Sequence, residues 1–307
     1  MSLSSFPFNG IWVALVTPFA PDGLVDHAAV RRLVRHYAEA GVHGLAVAAT
    51  TGEATSLDEA EYRALLDAVL EAAGTLPVIA GLPGMHQPTM IATLQDMARL
   101  PLAGWLVTAP LYVRPSQAGI EAHFKCLADI ARQPVVLYDI PYRTGVSIEL
   151  PTLLRLAGHL NIQAIKDCGG SVDKTQALIA DGRLAVLSGE DNRIFQTLCM
   201  GGQGAISASA HLRPDLFIAM AQAINNGDLS LARKVYHRLA PLIQALFVEP
   251  NPAPLKAALA ADGLINETLR APLIRASHDT ARALRQILAS LPHPGSALAP
   301  GPRALKA

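Results

Sequence analysis

Ile162-Gln-Ala-Ile-Lys-Asp-Cys-Gly-Gly170 sets a lysine at the end of a short, mostly apolar run, with two glycines a few residues on. An ammonium is costly in such a setting. Desolvation disfavours the charged form, lowers the pKa and leaves an amine that can attack a ketone and form a Schiff base. A lysine that ends a strand and snorkels to solvent has the same local sequence. The elements around Lys166 must decide between the two.

Those elements alternate. Gly10-Ile-Trp-Val-Ala-Leu-Val-Thr-Pro18 reads as a buried strand that stops at proline. Asp26 then precedes a helical stripe of Val30, Leu33, Val34 and Tyr37, with Gly41 at the C′ position. Gly44–Thr50 is a second strand, and Ser56 with Glu59 has the spacing of a capping box ahead of Tyr62, Leu65, Leu66 and Val69. Further strands are expected at Pro77–Gly81, Gly104–Pro110, Val135–Ile140, the lysine run, Leu184–Ser188 and Gly204–Ala208. Helices are expected between them near 89–99, 117–132, 150–157, 173–180 and 192–200.

Eight strand-helix units at a repeat of about 30 residues have the count and size of a (β/α)8 TIM barrel. The strands are apolar along most of their length, as a sheet covered on both faces requires. The expected organisation is a catalytic barrel over residues 10–226 and a helical region over 227–290, with helices near 231–247, 253–261 and 272–289. A tail rich in Pro, Gly and Ala over 291–307 is expected to be disordered.

Composition narrows the function. The chain has 307 residues with 25 Lys and Arg against 25 Asp and Glu, so no basic excess marks a nucleic-acid binder. No apolar run is long enough to span a membrane. Cys126, Cys168 and Cys199 are widely spaced, with neither zinc spacing nor a disulfide framework, which favours a reducing cytoplasm.

In a (β/α)8 barrel the chemistry sits where strands end at the C-terminal face. Strand two ends in Thr50-Thr51-Gly52-Glu53, strand four leads to Leu111-Tyr112-Val113-Arg114, and strand five carries Tyr138 into Pro141-Tyr142-Arg143-Thr144-Gly145. Strand six ends in Lys166, and strand seven in Ser188-Gly189-Glu190-Asp191. A Schiff-base lysine turns a 2-oxo acid into an enamine, and a phenol shuttles protons. Hydroxyls and amides hold one carboxylate, and an arginine takes a second bidentately. No Gly-rich phosphate loop follows the first strand and no His/carboxylate cluster has metal spacing, so neither cofactor nor metal is expected.

Plainer readings stand beside each residue. Tyr138 fits a core aromatic, Thr50 and Thr51 fit turn residues, and Arg143 fits a surface charge. Tyr112 alone is uninformative. Asp167, Glu190 and Asp191 suit helix caps or structural pairs. His123, His159 and His237 suit solvated positions.

Taken together, Thr50-Thr51-Gly52-Glu53, Arg114-Pro115-Ser116, Tyr138-Asp-Ile-Pro-Tyr-Arg-Thr-Gly145, Ile165-Lys166-Asp167, Ser188-Gly189-Glu190-Asp191 and Phe247-Val-Glu-Pro-Asn-Pro252 with Lys256 resemble the dihydrodipicolinate synthase family. These are pyruvate-dependent class I aldolases, a group that includes N-acetylneuraminate lyase. The resemblance runs in order from about Gly10 to about Leu288. It implies Lys166 as the Schiff-base lysine and Tyr138 as the proton-transfer phenol. Thr50 would link Tyr138 to Tyr112, which in the family reaches across a dimer interface into the neighbouring site. Thr51 would bind the pyruvate carboxylate and Arg143 the carboxylate of L-aspartate 4-semialdehyde. The backbones of Gly189 and Ile206 would line the pocket. A homotetramer built as a dimer of dimers is implied, acting in lysine and diaminopimelate biosynthesis.

Arg143 separates the branches, because the sialic-acid lyases and the 4-hydroxy-2-oxoglutarate aldolases lack an arginine there. Other positions depart from the pattern. Ala54 replaces a serine, Leu111-Tyr112-Val113 replaces Tyr-Tyr-Asn, Asp139 replaces an asparagine, and Leu82-Pro-Gly-Met-His86 replaces a more polar stretch. Ala54, Glu59, Met85, Thr89 and Leu111 fall at the family's lysine-feedback site, so no inhibition by L-lysine is expected. The alternative is another pyruvate-dependent aldolase or lyase for a sugar acid or a 4-hydroxy-2-oxo acid. A non-catalytic carboxylate sensor on the same scaffold would be marked by loss of Lys166 or Tyr138, and both are present.

Overall fold

The computed structural model describes residues 7–292. Eight parallel strands close on themselves in chain order, β1 to β8, with β8 pairing back onto β1. They are β1 Gly10–Ala14, β2 Gly44–Val47, β3 Val78–Gly81, β4 Gly104–Thr108, β5 Val135–Asp139, β6 Ile162–Asp167, β7 Ala185–Ser188 and β8 Gly204–Ser207. Each expected strand is present, in order. The architecture is a (β/α)8 TIM barrel.

The outer helices are α1 His27–Glu39, α2 Glu59–Ala73, α3 Gln87–Asp96, α4 Gln117–Ile130, the short α5 Pro141–Thr144, α6 Leu150–Leu156, α7 Val172–Asp181, α8 Ile194–Cys199 and α9 Pro214–Asn225. Then follow α10 Leu229–Leu246, α11 Ala253–Ala261 and α12 His278–Ser290. The expected tail lies outside the described residues from 293 on.

Side chains alternate across a strand, so each strand feeds two cores. Trp12, Ala14, Ala46, Ile79, Leu106, Val136, Ala164, Leu187 and Ile206 fill the barrel interior. Their neighbours Ile11, Val13, Leu45, Val47, Leu137 and Ile165 face the helices in a second, larger core. Tyr138 shares the parity of Val136, and Lys166 that of Ala164. In the β5–β6 register Tyr138 is the direct partner of Lys166. Period and register together aim both side chains into the barrel at one level.

Four expectations change locally. The capping box of α2 is Asp58 with Glu61, in place of Ser56 with Glu59. Ser56 belongs to a 3-10 turn over Ala54–Ser56, and its hydroxyl donates to the Glu53 carbonyl. A single turn beyond the strand thus moved the helix start by two residues. The expected helix from Pro272 begins at His278, because Ser277 holds an extended backbone and caps Thr280 N. Helix α3 starts at Gln87, with Pro88 in the first turn where a missing N–H is tolerated. His123 is buried beside Phe124, edge to face, whereas His237 is exposed as expected and His159 meets Asp129 Oδ1 at 2.9 Å.

The helices after the barrel are held by buried charge. Lys256 Nζ on α11 lies 2.5 Å from Glu53 Oε1 and sits over the Phe19 ring, with both charged side chains inaccessible. Arg270 pairs with Glu61, donates to the Gly23 and Ser56 carbonyls, and its own amide donates to Glu53 Oε2 at 3.1 Å. The turn after β2 is thereby tied to the C-terminal helices. Removing either member of a buried pair leaves the other charge uncompensated, which costs about 3–5 kcal/mol.

Candidate active site

A cavity of about 510 Å³ opens at the C-terminal ends of the strands. Lys166, Tyr138, Thr50, Thr51, Arg143, Gly189 and Ile206 all line it. Seven of the eight residues expected at the site are therefore gathered by the fold, and Tyr112 is the exception. It sits on the loop after β4, 89% exposed, and lines neither this cavity nor the neighbouring one of about 430 Å³.

Lys166 is buried, with Nζ 4.4 Å from the centre of the Tyr138 ring. Burial lowers its pKa; the nearby carboxyl groups of Asp191 and Glu190 pull the other way, and Arg143 lowers it further. The amine is thus shifted toward its neutral, nucleophilic form. Burial raises the Tyr138 phenol well above its ordinary value, while a hydrogen bond from Thr50 opposes the shift. A phenol that keeps its proton beside a neutral amine is arranged to donate.

The rim comes from loops. Tyr142 and Arg143 lie on α5, whose αL cap at Gly145 has φ 78°. Arg114 from the β4 loop packs against that glycine so closely that a Cβ there would meet its Nε. Arg143 lies 5.7 Å from the centre of the Tyr142 ring, and the Tyr142 hydroxyl donates to Glu190 Oε1 at 2.9 Å. Gly189 has no room for a side chain, since a Cβ would press on Cys168 Sγ and the Lys166 stem. Cys168 is buried, and its thiol pKa is raised by that burial, so it stays protonated.

Asn251 has no role in the sequence pattern, and three acidic residues have only structural ones. Asn251 Nδ2 donates to Thr51 Oγ1 at 3.0 Å and places the segment after α10 against the strand-two turn. Its signal was the Pro-flanked asparagine of the Phe247–Pro252 motif. Asp191, expected as a cap or pair, is buried and accepts from Ser209 N at 2.6 Å. Glu190, expected likewise, faces the cavity. Asp167 accepts from Gly169 N and from Thr175 Oγ1, the structural role expected of it.

Backbone strain clusters here. Among the described residues the non-glycines with positive φ are Ala48 and Glu53 after β2, and Tyr112 and Arg114 after β4. Such conformations cost about 1–3 kcal/mol each and persist where surroundings over-determine them. A second cavity of about 430 Å³ lies on this side. Thr50, Tyr138, Ile140, Arg143 and Asn251 form the wall it shares with the first.

A closed barrel with a desolvated lysine beside a buried phenol on adjacent strands is the arrangement that Schiff-base chemistry requires. The chain matches the model of the dihydrodipicolinate synthetase family over residues 7–291 and belongs to that family. It is 37% identical to 4-hydroxy-tetrahydrodipicolinate synthase 2 of Clostridium acetobutylicum over 284 residues, 91% of this chain and 99% of that protein. It is 39% identical to the 4-hydroxy-tetrahydrodipicolinate synthase of Sorangium cellulosum over 294 residues, 94% of this chain and 98% of the relative. Among solved structures, a dihydrodipicolinate synthase of Bacillus anthracis superposes with a TM-score of 0.90 at 32% identity, covering 94% of this chain and all of the other.

Proposed function

We propose that this chain is a 4-hydroxy-tetrahydrodipicolinate synthase, which joins pyruvate to L-aspartate 4-semialdehyde. The observation that carries the reading is Lys166 buried against Tyr138 with Arg143 on the same cavity wall. The neutral Lys166 amine attacks the ketone carbon of pyruvate. The carbonyl oxygen leaves as water and an imine remains. Loss of a methyl proton gives the enamine, whose carbon forms the new bond to the aldehyde. Tyr138 moves protons to and from the imine and the new hydroxyl. Thr51, with the amides of its turn, takes the pyruvate carboxylate, and Arg143 takes that of the semialdehyde.

Thr50 joins Tyr138 to the Tyr112 of a second copy. Burying one such exposed tyrosine contributes about 1.5–3 kcal/mol of hydrophobic stabilisation against the cost of association. The assembly in our reading is a cytoplasmic dimer of dimers. Residues 10–226 form the catalytic barrel and 227–290 the helical region, whose stretch from Ile243 to Asn251 lines the cavity. L-Lysine does not inhibit; half-maximal inhibition by sub-millimolar lysine overturns that part.

The test is turnover of pyruvate and L-aspartate 4-semialdehyde through a coupled dihydrodipicolinate reductase. A kcat/KM of about 10⁴ M⁻¹s⁻¹ or more is expected. No turnover, with pyruvate still trapped on Lys166 by borohydride, moves the reading to another pyruvate-dependent aldolase or lyase, acting on a sugar acid or a 4-hydroxy-2-oxo acid.

A further inference from the structure

Behind the cavity wall, on the helix side of β5, lies a buried ion pair with no place in the chemistry above. The Asp139 carboxylate has no exposed surface, and Lys174 of α7 reaches it with its ammonium. Lys174 Nζ also donates to Ser147 Oγ at 3.2 Å and to the Ile148 carbonyl at 3.3 Å. Asp139 Oδ1 accepts from Ile148 N at 3.0 Å. One carboxylate and one ammonium therefore grip the same two residues, Ser147 and Ile148.

The segment closed by that grip is the one that carries Arg143. It leaves β5 at Asp139, turns through α5 and returns at Ile148, whose amide comes back to Asp139. Thr144 braces the turn from inside, its hydroxyl on the Ile140 and Val146 carbonyls. The barrel side of the loop is open, because Arg143 and Tyr142 face the cavity. Gly169 makes room for the clamp: a Cβ there would strike both Lys174 Nζ and Asp139 Oδ2. Charge, loop closure and a glycine from the neighbouring strand end converge on one device.

We infer that the Asp139–Lys174 pair is a positioning clamp that sets Arg143 at the height where it meets the carboxylate of the aldehyde substrate. The inference rests on the role of Arg143 proposed above. Lys166, Thr50 and Thr51, which take pyruvate in that reading, stand on other strand ends, whereas Tyr138 precedes Asp139 on β5, so the aldehyde KM rather than kcat reports the clamp.

Lys174→Met in the full-length enzyme tests it. The variant leaves the Asp139 carboxylate buried without its cation. The KM for L-aspartate 4-semialdehyde rises about tenfold, and borohydride trapping of pyruvate keeps its wild-type rate. Hydrogen exchange of the amides from Arg143 to Ile148 quickens relative to the strands. The neutral pair Asp139→Asn with Lys174→Met keeps an acceptor for Ile148 N and restores much of the aldehyde KM. Ser147→Ala, which cannot unfold the barrel by stranding a charge, gives a smaller rise in the same direction. An unmoved aldehyde KM, or an equal loss for both substrates, overturns the clamp. Arg143→Ala is run alongside. If it raises the aldehyde KM and the Lys174 variant does not, the clamp alone is wrong. If neither moves that KM, the role of Arg143 falls and the clamp with it.

Discussion

The two sides of the cavity are built differently. Lys166 and Tyr138 stand on paired strands, in direct register, buried to within 4% of their surface. Arg143 and Tyr142 stand on the single turn α5 within the β5 loop and Tyr112 on the β4 loop, where Tyr142 and Tyr112 are 65% and 89% exposed. A strand-end side chain is aimed by the pleat and by every neighbouring strand, so it tolerates desolvation and acquires a shifted pKa. A loop side chain is aimed by a few contacts, such as Arg114 against Gly145 and the Asp139 carboxylate on Ile148 N. The rigid side suits chemistry shared by every substrate, and the loop side suits choice among them.

The largest expected break is on the strand side. Lys166→Ala removes the amine, so pyruvate is no longer trapped by borohydride and turnover is lost. Mass spectrometry of the reduced protein checks this; a pyruvate adduct on the variant refutes the assignment. Next is Tyr138→Phe, which keeps the ring against Lys166 and removes the proton. Its kcat falls by about 10²–10⁴, as is usual for an acid-base residue, while the ring packing keeps the fold intact. Unchanged turnover would move proton transfer to another group. On the loop side, the main effect of Arg143→Ala is on the aldehyde substrate. The aldehyde KM rises on the order of 10–100-fold, the scale of a charge-assisted bidentate contact, and the trapped lysine adduct still forms. Steady-state kinetics with each substrate varied in turn separates these outcomes.

The same contrast explains what was legible in the chain. Lys166 and Tyr138 could be placed because an apolar run has parity, and parity tells which side chains face inward. That they are register partners is a property of strand pairing, which no single segment carries. The loop contacts were harder. Asp139 was visible as a departure from the family pattern, but Lys174 lies 35 positions away on a helix and nothing in its surroundings marks it as the partner. The start of α2 was misread because Ser56/Glu59 and Asp58/Glu61 both have capping-box spacing, and only the 3-10 turn chooses between them. His123 suits solvent by its helical context, yet its ring is buried beside Phe124, with no hydrogen-bond partner for Nε2 among the described residues. The placement of Tyr112 in a neighbouring site needs a second copy of the chain.

The two sides are nonetheless coupled through charge, and this gives the smallest prediction. Burial is the main cause of the lowered Lys166 pKa, and the positive charge of Arg143 lowers it further. Arg143→Ala removes the lesser cause and leaves the first. The Lys166 pKa then rises toward that of an ordinary lysine, and at a fixed neutral pH a smaller fraction of it is the free amine. Pyruvate trapping by the variant is therefore slower near neutrality and equals wild type at alkaline pH, where both amines are neutral. The check is the trapping rate against pH, with aldehyde absent so that the carboxylate contact of Arg143 plays no part. A shift of the profile to higher pH shows a loop residue tuning the strand-borne nucleophile. Superimposable profiles would mean that solvent at the rim screens Arg143 from Lys166, leaving burial alone to set the nucleophile.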